Sequence, residues 1–255
     1  MWKISIKDFV PPIVTRAHSY IRRKFERLYK NSARTAPFDC VPADMNVKWV
    51  LDIGANVGDI TISALNSFPE AQVICFEPVQ STFEILSNRL APYSERVHLH
   101  NCALSNSTGE GEINITNFPG ANSIMPQAKL HQNCNPHVHE LGKESISLVR
   151  LDDISDKFPT RNIDIMKIDV EGFELNVLNG GREFIAEHVD VIIIEISLMR
   201  DVSWEKQSVF DIFAFMKEAG FCLVNVFDVH HAENKSVMLA QMDCVFRHTR
   251  ELNKL

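Results

Sequence analysis

The chain has 255 residues, 45% of them apolar and 23% charged, which suits one large α/β domain better than two small ones. Its formal charge of −7 argues against nucleic acid as the main partner, because a DNA or RNA surface needs an excess of Lys and Arg. No stretch approaches the ~20 consecutive apolar residues that span a bilayer, and the start of the chain lacks the pattern of a signal peptide, so a cytoplasmic protein is expected.

The charge is spread unevenly. Residues 1–30 carry eight basic side chains against two acids, a local +6 that leaves −13 on the rest. Over 13–30 the apolar residues Val14, Ala17, Ile21, Phe25 and Leu28 recur at helical spacing, with most of the basic residues opposite and Pro11 and Pro12 ahead. Such a helix either packs on the domain with its basic face in water or lies on an anionic inner-membrane surface. Residues 31–46 read as a linker, so 1–46 form an N-terminal segment and 47–255 the main domain. The six cysteines are scattered, as in a reduced protein.

From Lys48 onward strands and helices alternate. "KWVLDI" (48–53) is a strand and "DITISALNSF" (59–68) a helix with Asp59 as its expected cap. "QVICFE" (72–77) is a strand, "STFEILSNRL" (81–90) a helix capped by Ser81, and "RVHLHNCAL" (96–104) a third strand. This βαβαβ order predicts an α/β fold with a mostly parallel sheet and helices on both faces. An insertion at about 110–150 interrupts it. "EGEINITN" and "SISLVRLDD" alternate like half-exposed strands around the polar stretch 118–144, giving a β-hairpin with a lid-like loop. The sheet resumes with strands at 163–169, 189–197, 221–227 and 242–248, and helices at 173–181 (closed by Gly180 and Gly181) and 205–220.

The turn after the first strand reads "VLDIGANVGD". A dinucleotide turn would need G-x-G-x-x-G, but Asn56 and Asp59 stand at its second and third glycine positions, which disfavours NAD. The pattern that remains is D-x-G-x-x-x-G, and an acid ahead of the turn suits a cationic, phosphate-free ligand. S-adenosylmethionine fits, with Asp52 toward its methionine end and Asn56 in the turn. Gly54 and Gly58 are expected to let the backbone approach it. Glu77 follows Gly54 by 23 residues, where an acid accepts ribose hydroxyls. Pro78, with Asn101 or the backbone near Ala103, is expected beside the adenine.

A second signature is "IDIMKIDVEGFELNVLNGG" (163–181). Period 2 puts Lys167, Asp169 and Glu171 on one side of a strand's carboxyl end, where ligands of open α/β sheets bind. A lysine in an apolar strand is costly unless paired. Together "VLDIGANVGD", "FEP", "LDD" and "MKIDVEGFELNVLNGG" resemble the FkbM family of S-adenosylmethionine-dependent methyltransferases, over roughly residues 48–247. The resemblance implies a class I methyltransferase (Rossmann-like) fold, seven-stranded with the last strand antiparallel. It also implies O-methylation, often of a sugar or natural-product hydroxyl.

Attack by an alcohol calls for a base, and the candidates are Asp169 and Glu171, with Lys167 orienting or tuning one of them and Glu195 on the same rim. The three acids could instead hold Mg²⁺, a weaker alternative because the lysine occupies the space a divalent ion would want. His131, Cys134, His137 and His139 match no common zinc spacing. They read as a solvated lid, or as a base delivered on closure. His230 and His231 are weaker candidates for the acceptor pocket. Small-molecule N-methylation and a non-catalytic cofactor-binding subunit remain as alternatives.

Overall fold

A computed structural model of the chain describes residues 38, 39, 41, 45–125, 137–198, 209–231 and 239–252. The helix expected at 13–30, most of the linker, the tip of the insertion at 126–136 and the start of the helix expected at 205–220 lie outside the described residues.

The main sheet has seven strands. They are β1 (Trp49–Ile53), β2 (Gln72–Phe76), β3 (Val97–His100), β7 (Ile163–Ile168), β8 (Val189–Ser197), β9 (Phe221–His231) and β10 (Leu239–His248). Their spatial order is β3-β2-β1-β7-β8-β10-β9. The pairs from β3 through to β8 are parallel, and β10 runs antiparallel to both β8 and β9. The described helices include α1 (Asp59–Ser67), α2 (Gln80–Leu90), α3 (Leu151–Ile154), α4 (Glu174–Gly180), α5 (Arg182–His188), α6 (Val209–Glu218) and α7 (Thr249–Leu252).

Strand alternation divides the core between the two faces of the sheet. Leu51, Ile53, Ile74 and Phe76 pack with Val177 and Leu178 of α4, Phe184 and Ile185 of α5, and Phe215 of α6. Val50, Val73, Cys75, Ile165, Ile193 and Val245 pack with Ala64 and Leu65 of α1 and Leu86 and Leu90 of α2. The class I methyltransferase arrangement is therefore present, with its last strand antiparallel. No helix among the described residues is long and apolar enough to cross a membrane.

Local boundaries differ from those expected. The third strand breaks after His100: Ala103–Leu104 (β4) leaves the main sheet and joins the insertion, pairing parallel with β6 (Glu140–Val149). β6 also pairs antiparallel with β5 (Gly109–Thr116), so the expected hairpin is one part of a three-stranded sheet, β4-β6-β5. Residues 151–154 are helical instead of extending the hairpin strand, and Gly181 joins α4 directly to α5. Neither expected cap is used. α1 begins after Gly58, with Asp59 already in its first turn and paired with Arg89 at 2.7 Å, and α2 begins after Val79.

Candidate active site

The first crossover holds one half of the site. Gly54 and Ala55 donate their N–H groups to the Phe76 carbonyl at 3.0 and 2.9 Å, folding the glycine turn over the end of β2. Gly54 (φ +82°), Asn56 (φ 48°) and Gly58 (φ 88°) all adopt left-handed backbone. A Cβ on Gly54 would stand 1.9 Å from the Asp169 carbonyl oxygen, and one on Gly58 would stand 2.8 Å from Leu86 Cδ1. At both positions the protein's own chain stands where a Cβ would go. Gly54 brings the turn against the end of β7.

Asp52 is 1% exposed and accepts a 2.6 Å hydrogen bond from the Thr61 hydroxyl. Burial pushes its carboxyl up to about 6, against the lowering effects of Thr61 and of the Lys167 charge. The acid thus lies under the turn, clasped to α1. Glu77 is buried as well. Its two carboxyl oxygens accept the N–H groups of Asn56 and Val79 at 3.0 and 2.9 Å, and burial raises it to about 7 against those bonds. Glu77 therefore ties the glycine turn to the start of α2.

Asn101 and Ala103 both make contacts within the protein. The Asn101 amide donates to the carbonyls of Glu77 and Pro78 at 2.9 and 3.0 Å, which commits its nitrogen to holding this loop. The Ala103 backbone pairs with Leu148, and its side chain is buried with Val79, Ile113 and Ile146. The Oδ1 of Asn56 is buried with no hydrogen-bond partner among the described residues. An orphaned acceptor is costly, and a donor group on a bound ligand would satisfy it.

The second half of the site crosses three more strands. Lys167 is the register partner of Asp52, and Asp243 on β10 is the partner of Glu195 on β8. All four stand two residues beyond apolar positions of one core layer, so they form a charged row at the sheet's carboxyl end on the face covered by α1 and α2. The Lys167 ammonium is 2.8 Å from Asp243 Oδ1 and 3.8 Å from Asp169 Oδ2. Burial opposes the charge of Lys167, but Asp169, Asp243 and Glu195 more than offset it and hold the ammonium well above its ordinary value. Burial raises Asp169 while Lys167 pulls it down. Glu195 is raised well above the usual carboxylate range by burial, then by the charges of Asp169 and Glu171.

Ligating oxygens of Asp169, Glu171 and Glu195 lie within 4.8 Å of one another, so the three acids expected on one rim do converge. The set could accept a cation; the Lys167 ammonium already supplies positive charge beside it. Glu171 (φ 55°) is bent out of strand geometry, and its carbonyl accepts a 2.6 Å hydrogen bond from Ser123 of the insertion. A Cβ on Gly120, on the same loop, would stand 3.7 Å from Asn56 Nδ2. The insertion thus reaches both halves of the site, and its Glu144 also accepts the Gln80 N–H at the start of α2. His230, expected as a pocket residue, pairs with Asp228 at 3.1 Å on the edge strand β9. His131 and Cys134 lie outside the described residues.

The sequence model of the methyltransferase FkbM domain matches residues 52–223, which include the glycine turn, Glu77, the Lys167–Glu171 block and Glu195. The chain belongs to the FkbM methyltransferase family. This FkbM methyltransferase is 28% identical to Methyltransferase sdnD of Sordaria araneosa over 197 residues, which is 68% of this chain and 73% of that one. It is 30% identical to the 2-O-methyltransferase NoeI of Sinorhizobium fredii over 140 residues, 52% of this chain and 57% of that one. Its fold is similar to that of an S-adenosylmethionine-dependent methyltransferase from Clostridium acetobutylicum, with a TM-score of 0.50 at 10% identity, over 91% of this chain and 98% of that one.

Four residues of this FkbM methyltransferase went unseen in the sequence. Thr61 and Ser123 are ordinary hydroxyls until the fold brings them to Asp52 and Glu171. Glu174, buried at the start of α4, accepts the Gly172 N–H at 2.8 Å and steadies the turn after Glu171. Asp243 carried one signal: an acid inside the apolar run "MDCVFRH".

Proposed function

We propose that this FkbM methyltransferase moves the methyl group of S-adenosylmethionine onto a hydroxyl of a small molecule or glycan. The observation that carries this reading is the close approach of two differently built half-sites, joined where Gly54 touches Asp169. The half-site at the first crossover offers acceptors: the buried carboxylates of Asp52 and Glu77 and the orphaned Oδ1 of Asn56. These suit a ligand with cationic groups and ribose hydroxyls and offer nothing to a phosphate. When bound there, the cofactor supplies a methyl group activated on a positively charged sulfur.

The rim supplies the base. Asp169 accepts the acceptor's hydroxyl proton, and Lys167, held in place by Asp243, stabilises the carboxylate between turnovers. Burial and the crowding of Asp169 and Glu171 raise Glu195 well above the usual carboxylate range, while burial raises Asp169 against the pull of the Lys167 ammonium. The insertion loop is tied to Glu171 of this rim through Ser123. The partial similarity to a 2-O-methyltransferase supports a hydroxyl acceptor.

The test is transfer of a labelled methyl group from S-adenosylmethionine to a panel of saccharides, polyketide-like alcohols and their amine counterparts. Label recovered in an ether linkage, and lost in Asp169→Asn, is the expected result. Label recovered only on amines would overturn the hydroxyl reading in favour of N-methylation.

A further inference from the structure

Two carboxylates lie within 4 Å of the Lys167 ammonium, and it does not treat them alike. The ammonium makes a 2.8 Å hydrogen bond to Asp243, yet stops 3.8 Å from Asp169, beyond hydrogen-bond reach. Among the described residues no donor stands within hydrogen-bond distance of the Asp169 carboxylate. A lysine this buried (4% exposed) needs a bonded partner, and its side chain is long enough to satisfy that need with either acid. The choice is made by β10. Its antiparallel pairing sets Asp243 opposite Glu195, one strand beyond the neighbour of Lys167, and so places a carboxylate on the far side of the ammonium from the cofactor turn.

We propose that Asp243 is a positioning residue that draws the Lys167 ammonium away from Asp169, keeping the Asp169 carboxylate available to take a proton from the acceptor. This rests on the hydroxyl-transfer reading above for its consequence, though not for its geometry. Without Asp243 the ammonium loses its bonded partner, and a direct ion pair with Asp169, the other carboxylate within 4 Å, would occupy the oxygen needed by the acceptor. The last strand of the sheet would then serve the reaction without touching the substrate. Asp169 meets the reacting atoms, Lys167 acts on Asp169, and Asp243 acts only on Lys167.

The experiment pairs a crystal structure of Asp243→Asn with kinetics. In the variant the Lys167 Nζ should close from 3.8 Å to hydrogen-bond distance of Asp169, about 3 Å. Turnover should fall about 10²-fold with KM for the acceptor and affinity for S-adenosylmethionine changed less than about threefold. Asp243→Glu should restore most of the turnover, and in a Lys167→Met background Asp243→Asn should have no further effect. An ammonium that keeps its wild-type distance, or an equal loss with Lys167 already removed, overturns the proposal. If Asp243→Asn does not fold, Asp243→Ser takes its place in the same measurements. Should the wild type transfer methyl to no hydroxyl at all, the function reading fails, while the crystallographic arm still decides where Asp243 holds the ammonium.

Discussion

The two half-sites use the same residue type in opposite ways. At the first crossover, Asp52 and Glu77 are buried singly, and each is bonded to neutral donors: a threonine hydroxyl and two backbone N–H groups. At the rim, Asp169, Glu171 and Glu195 crowd together, and one ammonium lies between Asp169 and Asp243. Separate acids held by the backbone make a rigid, shaped receptor whose strength depends on geometry. Acids sharing one cation make a site whose protonation is set collectively, so each depends on its neighbours. The first arrangement suits recognition of a cofactor; the second suits moving a proton.

That contrast can be broken most severely at Asp169. Asp169→Asn should lower turnover by about 10²–10⁴-fold while S-adenosylmethionine binding, measured by calorimetry, stays nearly unchanged. Equal losses in both would mean that the two halves are one binding site. The next largest effect is expected where the halves touch. Gly54→Ala would force a Cβ to 1.9 Å from the Asp169 carbonyl at φ +82°, so urea unfolding should show a loss of about 3 kcal/mol or more.

Glu77 sharpens the comparison. Glu77→Ala should weaken cofactor binding by roughly 1–3 kcal/mol, since it leaves polar groups unpaired, with a much smaller effect on the bound enzyme's turnover. Burial raises Glu77 from 4.5 to about 7, so its protonated form stabilises the folded chain. That contribution is complete below about pH 4.5 and is lost as pH rises through about 7. Glu77→Gln, which cannot ionise, should therefore flatten the decline in Tm across this window. A decline as steep as the wild type's would assign the pH dependence to other carboxyls. The smallest effect is expected at Ser123. Ser123→Ala removes the hydrogen bond to the Glu171 carbonyl and the one accepted from the Met125 N–H, costing about 1 kcal/mol each, and should raise the acceptor's KM more than it weakens cofactor binding.

The sequence revealed whatever depends on local periodicity. Apolar alternation located the strands of the main sheet, and a lysine followed by two acids at period 2 marked the rim. Short helices escaped notice: α3 has four residues and α5 has seven, too few turns to show a helical stripe. The caps were misread because Gly58 and Val79, not the neighbouring Asp59 and Ser81, occupy those positions. The packing reason for the two turn glycines was not legible for a different reason. Asp169 and Leu86 are distant in sequence, and only the folded chain shows that they fill the space a Cβ would need. Asp243 stayed hidden likewise, since its meaning depends on the register of an antiparallel pair that brings the last strand beside β8.

The central claim is that Asp52 and Glu77 line the cofactor's place while Asp169 faces the acceptor across it. A crystal structure with S-adenosylhomocysteine bound tests this most directly. The account predicts ribose hydroxyls on the Glu77 carboxylate, the amino-acid end over the glycine turn beside Asn56 Oδ1, and the sulfur facing Asp169. A nucleoside bound away from the first crossover, or a sulfur turned away from Lys167 and Asp169, would contradict it.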